Sequence, residues 1–314
     1  MVDDKANIKG SRITRVIVII PAHNEEESIV QTINSLKSLR SDWQNHRLEF
    51  NILVVDDGSQ DRTSDLASEA GVDQVIRHHV NLGLGAAIRS GLTFAETGDF
   101  DIAVKFDADL QHDPEDILPL ITPILENKAD IVYGNRHQRI DYVMPLVRRW
   151  GNAAFTGLMR WLTRWPLEDS QPGIIALGRD YLHCFYLPGD YNYTQQILVD
   201  SYRKGMRFAH VPVSFRKRTT GRSFISLKYP FKVLPQIFLV LVAVKPLRVF
   251  GPLGGFFLGA GGLLFLVEFI HFLLGEYERP VQHVFLVLGL LLFGLQTLFF
   301  GVLAHLIVDP GRRR

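Results

Sequence analysis

The chain has 314 residues, 47% hydrophobic and 21% charged, which excludes a disordered tail protein and suits about two ordinary domains. Thirty-four Lys and Arg against 33 Asp and Glu leave a net charge of +1, so no overall basic field marks a nucleic-acid binder. The single Cys184 excludes an intrachain disulfide and a Cys-rich zinc module, and a mean hydropathy of +0.09 averages over two unlike halves.

The N-terminal half alternates two kinds of segment. Residues 16–20, Ile52–Val55 and Ile102–Phe106 are short apolar runs, which predict buried strands. The first ends at Pro21 and is too short for a secretory apolar region, which needs about 7–15 residues. Segments near Glu26–Leu39, Thr63–Ala70 and Gly85–Ala95 predict helices between them. This order predicts an α/β fold with a mainly parallel sheet, helices on both faces and a ligand site beyond the carboxyl ends of the strands. Polar clusters fall at those ends: Pro21-Ala22-His23-Asn24-Glu25, then Asp56-Asp57-Gly58-Ser59, then Asp107-Ala108-Asp109. His78 and His79 are adjacent and read as a solvated loop, while Asn81–Gly85 lacks a P-loop ending and reads as the start of a helix.

Asp107 and Asp109 flank a small residue at the end of a strand, so two carboxylates can approach one centre, and they repel each other unless a cation sits there. Hard divalent ions take such oxygen ligands together with substrate phosphates, and Gln111 offers a further carbonyl oxygen.

The C-terminal half is apolar. Val249–Leu274 carries Glu268 as its only charged residue and Val281–Val308 carries none, and each exceeds the roughly 20 residues that cross a bilayer. Lys228, Lys232, Lys245 and Arg248 precede the first span and Arg312, Arg313 and Arg314 follow the second, which predicts a cytoplasmic N-terminal domain and cytoplasmic termini. Val233–Val244 is too short to span and reads as an interfacial helix. Gly251, Gly255 and Gly259 recur every four residues, a face suited to packing on the second span or to a homo-oligomer contact. Glu268 and His271 lie near the outer end, within reach of the interface by snorkelling. The expected domains are 1–222, catalytic; 223–248, juxtamembrane; 249–308, two-helix transmembrane; and 309–314, a basic tail.

The ordered clusters resemble the inverting family 2 glycosyltransferases of the GT-A fold, in the polyprenyl-phosphate, dolichol-phosphate mannose synthase-like branch. The residues that carry the resemblance are Pro21–Glu26, Val55–Ser59, Asn81-x-Gly-x-Gly-Ala86, Asp107–Pro114, Tyr133-Gly-Asn-Arg136, Asp169-Ser-Gln-x-Gly173 and Val211-Pro-Val213. The resemblance implies a GDP- or UDP-sugar donor bound by Pro21, Ala22, Asn24, Glu25, Val55, Asp57 and Ala108. It implies Mg²⁺ or Mn²⁺ on Asp107, Asp109 and Gln111, and a polyprenyl phosphate in the bilayer as acceptor. Arg136 and Arg149 resemble the residues that meet the acceptor phosphate, and Arg218 the phosphate-contacting arginine near the membrane. The chain departs from the family at Phe224, which stands where a Lys is usual with Arg222 nearby, and at Pro172 and Ile174.

A lipid phosphate is already largely a dianion at neutral pH and needs no strong base, whereas a hydroxyl acceptor would need one, for which Asp169 is available. A processive polysaccharide synthase would carry a Gln-x-x-Arg-Trp motif, and no Trp follows Trp165. A catalytically silent nucleotide-sugar-binding membrane protein is the third reading, against which the Asp pair and the arginines argue.

Overall fold

The computed structural model describes residues 13–40, 43, 46–136, 153, 156–157, 159–161, 163–190, 193–215, 242 and 246–308. The chain divides into two compact units, one ending at Phe224 and one beginning at Ile225.

In the first unit, seven strands form one sheet: β1 (Thr14–Ala22), β2 (Leu48–Asp56), β3 (Gln74–Arg77), β4 (Ile102–Lys105), β5 (Ile131–Asn135), β6 (Ile175–Gly178) and β7 (Phe208–Pro212). Their order is β3-β2-β1-β4-β6-β5-β7. Neighbours are parallel except where β6 meets β4 and β5. The expected mainly parallel sheet is present, and β6 is its one reversed strand.

The β-branched run of β1 is buried throughout because helices cover both faces. Val16, Val18 and Ile20 share a core with α1 (Ile29–Lys37), which lays Ile29, Ile33 and Leu36 along one stripe, and with α4 (Ile117–Leu125). Ile19 points the other way, against α3 (Leu84–Thr97), which follows α2 (Thr63–Glu69). A Cβ on Gly91 of α3 would lie 2.4 Å from Ile19 Cγ2, so this glycine sets how closely the helix approaches the sheet. A short α5 (Arg179–Leu182) follows β6, and α6 (Tyr193–Arg203) precedes β7.

The second unit is a hairpin of α7 (Pro246–Leu273) and α8 (Val284–Val308). Each is long and apolar enough to cross a membrane. Little of either helix is buried within the protein. Val233–Val244 lies outside the described residues apart from Val242.

Two expectations for this hairpin are corrected. A Cβ on Gly251, Gly255 or Gly259 would meet nothing within 4 Å, whereas one on Gly254 would lie 2.9 Å from Gly294 O and one on Gly261 3.1 Å from Leu290 Cβ. The helices therefore meet along the Gly254 and Gly261 face, because the seven-residue step follows the crossing and the four-residue step drifts off it. Glu268 does not snorkel. It is 3% exposed and accepts hydrogen bonds from the backbone N–H groups of Gln282 and His283 at 2.8 and 3.2 Å, with His283 Nδ1 at 2.6 Å. It satisfies the free N–H groups that lead into α8, which a helix start in an apolar medium requires. His271 pairs instead with Glu276.

Candidate active site

The three predicted clusters meet at the carboxyl edge of β1, β2 and β4, where they line a cleft of about 270 Å³. Pro21, Ala22, Glu25, Asp57, Asp107 and Ala108 all face it, together with Asp109 and the Asn81–Leu84 segment. Asn24 and Val55 do not line it. Val55 is fully buried within β2. Asn24, at φ +54°, braces two loops: its N–H donates to Ser59 Oγ at 2.9 Å and its Oδ1 accepts from Gln60 N at 2.9 Å. A second cavity of equal size lies at the amino ends of the strands. Its Arg207 and Asp130 pair with each other, so it offers no comparable chemistry.

Asp57 is held from several sides. Its Oδ1 lies 2.7 Å from His78 Nδ1 and accepts from Leu82 N at 3.0 Å, and its Oδ2 accepts from Gly83 N at 2.7 Å. Burial alone would raise this carboxyl, but these donors hold it below the ordinary carboxylate value. His78 also reaches Ser90 Oγ at 2.9 Å, so it is a bridge between the β3 edge and α3, not the solvated loop its sequence suggested. The Asn81–Gly85 segment is a helix start, as expected, with Asp57 holding its backbone.

The Asp107–Gln111 stretch follows β4. Leu110 adopts φ +59°, a region that apolar L residues seldom occupy, so the chain turns sharply just after Asp109. Gln111 N donates to Asp109 Oδ1 at 3.2 Å. Two residues beside this stretch were not singled out from sequence. Lys105, the last residue of β4, is 4% exposed; its ammonium bonds to Asp107 Oδ1 and donates to Gly173 O at 2.6 Å. Although burial opposes it, the Asp107 carboxylate holds this amine above its usual range. Its signal in the sequence was a lone charge closing an apolar strand.

His112 is 3% exposed, lies 3.8 Å from Asp107 Oδ2 through Nε2, and neither ring nitrogen has a hydrogen bond of good geometry among the described residues. Burial pushes it down to about 4 against the pull of Asp107, and the cations Lys105 and Arg136 push the same way. In the window from about 6.5 down to about 4, the unfolded chain takes a proton that the folded chain refuses, so stability falls as pH drops. The metal-free protein should lose up to about 3 kcal/mol across that window. Thermal unfolding measured between pH 7 and 4 checks this, with His112→Gln expected to flatten the slope.

The donor set suits a hard divalent ion, Mg²⁺ or Mn²⁺. Asp107 and Asp109 face one cleft, and the unpartnered His112 nitrogens mark a polar cradle beside Asp107. Among the described residues no group of three or more His, Cys, Asp or Glu assembles, so the remaining ligands of an ion there would be amide oxygens, water or substrate. Gly173 closes the cradle. A Cβ there would lie 2.0 Å from His112 Nε2 and 2.9 Å from Asp107 Oδ2. Gly173→Ala should therefore displace both side chains and cut activity by roughly a hundredfold, a misplacement effect read in kcat/KM.

Arg136, at the end of β5, is 7% exposed and paired with Asp169, whose oxygens accept from Nε at 2.7 Å and Nη2 at 3.2 Å. Asp169 is fully buried and also accepts from Gln171 N at 2.9 Å. Arg148, Arg149, Arg218, Arg222 and Phe224 lie outside the described residues.

Comparison with known proteins identifies the family. The model described as Glycosyl transferase family 2 matches residues 17–184, more than half of the chain. The chain belongs to glycosyl transferase family 2. This glycosyltransferase is 34% identical over 185 residues to the UDP-N-acetylglucosamine–dolichyl-phosphate N-acetylglucosaminyltransferase of Methanococcus voltae, covering 53% of this chain and 70% of that one. It is 29% identical over 227 residues to the undecaprenyl-phosphate mannosyltransferase of Micrococcus luteus, covering 68% and 88%. The glucosyl-3-phosphoglycerate synthase of Mycobacterium tuberculosis, solved with Mn²⁺, UDP and glucosyl-3-phosphoglycerate, matches at a TM-score of 0.54 and 22% identity over 73% of this chain and 79% of that one. That likeness shows a shared GT-A type fold.

Proposed function

We propose that this glycosyltransferase moves a monosaccharide, with inversion at the anomeric carbon, from a GDP- or UDP-sugar to a polyprenyl phosphate at the cytoplasmic face of a membrane. The observation that carries this reading is the state of Asp169. The carboxylate available as a base for a hydroxyl acceptor is fully buried and committed to Arg136 and Gln171 N. An acceptor that is already anionic needs no base. The names of the two relatives with lipid-phosphate acceptors support the same class.

On the donor side, Pro21 and Ala22 offer an apolar wall for the base, Glu25 and Asp57 border it, and Asp107 and Asp109 would hold the divalent ion; Gln111, which does not line the cleft, would add its carbonyl from the turn just beyond them. Bound there, Mg²⁺ or Mn²⁺ offsets the charge that grows on the departing diphosphate. Arg136, Arg149 and Arg218 meet the phosphates, which suits guanidinium forks that stay charged and bind oxygens in pairs. Residues 1–222 form the catalytic domain, 223–248 lie along the interface, 249–308 cross the bilayer and 309–314 return to the cytoplasm. The Gly251, Gly255 and Gly259 face is the surface offered to a second copy in the membrane.

The test incubates the purified protein with radiolabelled GDP- and UDP-sugars and short-chain polyprenyl phosphate, with and without a chelator. A mild-acid-labile lipid product that requires the metal supports the reading. Label that enters only polymer or a neutral hydroxyl acceptor sinks it.

A further inference from the structure

We propose that Lys105 is a positioning residue that prevents the Asp107–Asp109 pair from holding a divalent ion alone, so that the ion is retained only together with the donor's diphosphate. This rests on the reading of those carboxylates as metal ligands.

A buried ammonium is an expensive choice for the end of a strand. Its register neighbours, Ile19 on β1 and Ile175 on β6, are apolar and fully buried, and an apolar residue would fit with no desolvation cost. Lys105 instead bonds to Asp107 Oδ1 and to Gly173 O at 2.6 Å, with the Tyr193 ring centroid 5.6 Å away. Two consequences follow from that placement. One carboxylate oxygen of Asp107 already accepts from the ammonium, and the other lies 3.8 Å from His112 Nε2, so Lys105 reduces the oxygen lone pairs that Asp107 can offer an ion.

The second consequence is electrostatic. Two aspartates and one ammonium sum to a charge of about −1, half of what a dication needs, and repulsion between like charges at a few ångströms in a protein is strong. Among the described residues no third carboxylate joins them, and the nearby His112 imidazole, when neutral, adds no negative charge. A diphosphate makes up the difference, because it brings the missing negative charge and oxygen ligands to the same point. Binding of ion and nucleotide is then coupled, and each tightens the other by the same factor.

Mn²⁺ titrations of the full-length protein, followed by electron paramagnetic resonance of the free ion, test this with no nucleotide, with UDP and with GDP. The wild type is expected to bind Mn²⁺ weakly alone and at least about tenfold more tightly with the diphosphate it accepts. Lys105→Met should raise the nucleotide-free affinity by about tenfold or more, while Lys105→Arg, which keeps the charge, should stay within about threefold of wild type. If Lys105→Met does not fold, Lys105→Gln carries the same expectation, since its amide can still donate to Gly173 O.

The inference is overturned if the neutral variant binds the free ion no more tightly than wild type, or if Lys105→Arg matches it. If the wild type takes up no Mn²⁺ even with UDP or GDP, the metal reading itself fails and this inference falls with it.

Discussion

Asp109→Ala should abolish sugar transfer, by roughly a thousandfold or more in kcat, while leaving the fold intact. The first half follows from charge: the leaving diphosphate needs an offset in the transition state, and losing even one preorganised donor of that kind costs about 10²–10³ in rate. The second half follows from exposure. Asp109 borders the cleft and accepts from the backbone N–H of Gln111 at 3.2 Å, so its loss removes no apolar packing from the core. Asp107→Ala is expected to differ. It too should be inactive, but it also strips the buried Lys105 ammonium of its carboxylate partner. Leaving a buried charge uncompensated costs about 3–5 kcal/mol. Transfer assays together with thermal unfolding of both variants in detergent measure the contrast. Retained activity in Asp109→Ala would remove the metal site from the mechanism, and equal stability of the two variants would contradict the role of Lys105 as a buried cation.

Asp169→Ala should destabilise the protein by about 3–5 kcal/mol, the cost of isolating one member of a buried ion pair. For a domain of this size that corresponds to a fall of roughly 10 °C in the unfolding midpoint. Arg136 stays 7% exposed and stacks 5.1 Å from the centre of the Phe215 ring, so water does not readily reach a stranded guanidinium. The double variant Arg136→Met with Asp169→Leu should recover most of the loss, because an apolar pair of similar volume avoids the desolvation cost. The same double variant separates structure from chemistry. A stable but inactive protein supports contact between Arg136 and the acceptor phosphate, and a stable, active one confines Arg136 to holding the Asp169 loop.

The catalytic edge was legible before any coordinates. Short apolar runs that end in clusters of Asp, Asn and Glu predict both a buried parallel strand and the edge at which ligands bind, and β1, β2 and β4 with their clusters lie where the patterns put them. The spans were legible for a similar reason, since length and the absence of charge are local properties. The second half of the sheet was not. β6 has four residues and pairs antiparallel with two strands distant in sequence, and no local pattern announces such a partner.

The polar residues around the site divide in the same way. His78 looked like half of an idle pair, but the pairing of Arg77 with Asp56 carries it to within 2.7 Å of Asp57. Lys105 reads in sequence as a charge at a strand end, and only the loop that returns with Gly173 buries it. In the hairpin, the four-residue glycine repeat was visible but its use was not, because the crossing of two helices selects the face that meets.

The amino-acid sequence by itself determined the first alternation of strands and helices, the acidic edge, the family and the membrane-competent tail, because each depends on hydrophobic period and neighbouring residues. Tertiary structure alone decided which polar groups are neutralised. Asp57, Lys105, His112, Arg136 and Asp169 each take part of their environment from another segment of the chain, and Glu268 takes its own from across the hairpin; the energy of a charge depends on what surrounds it in space.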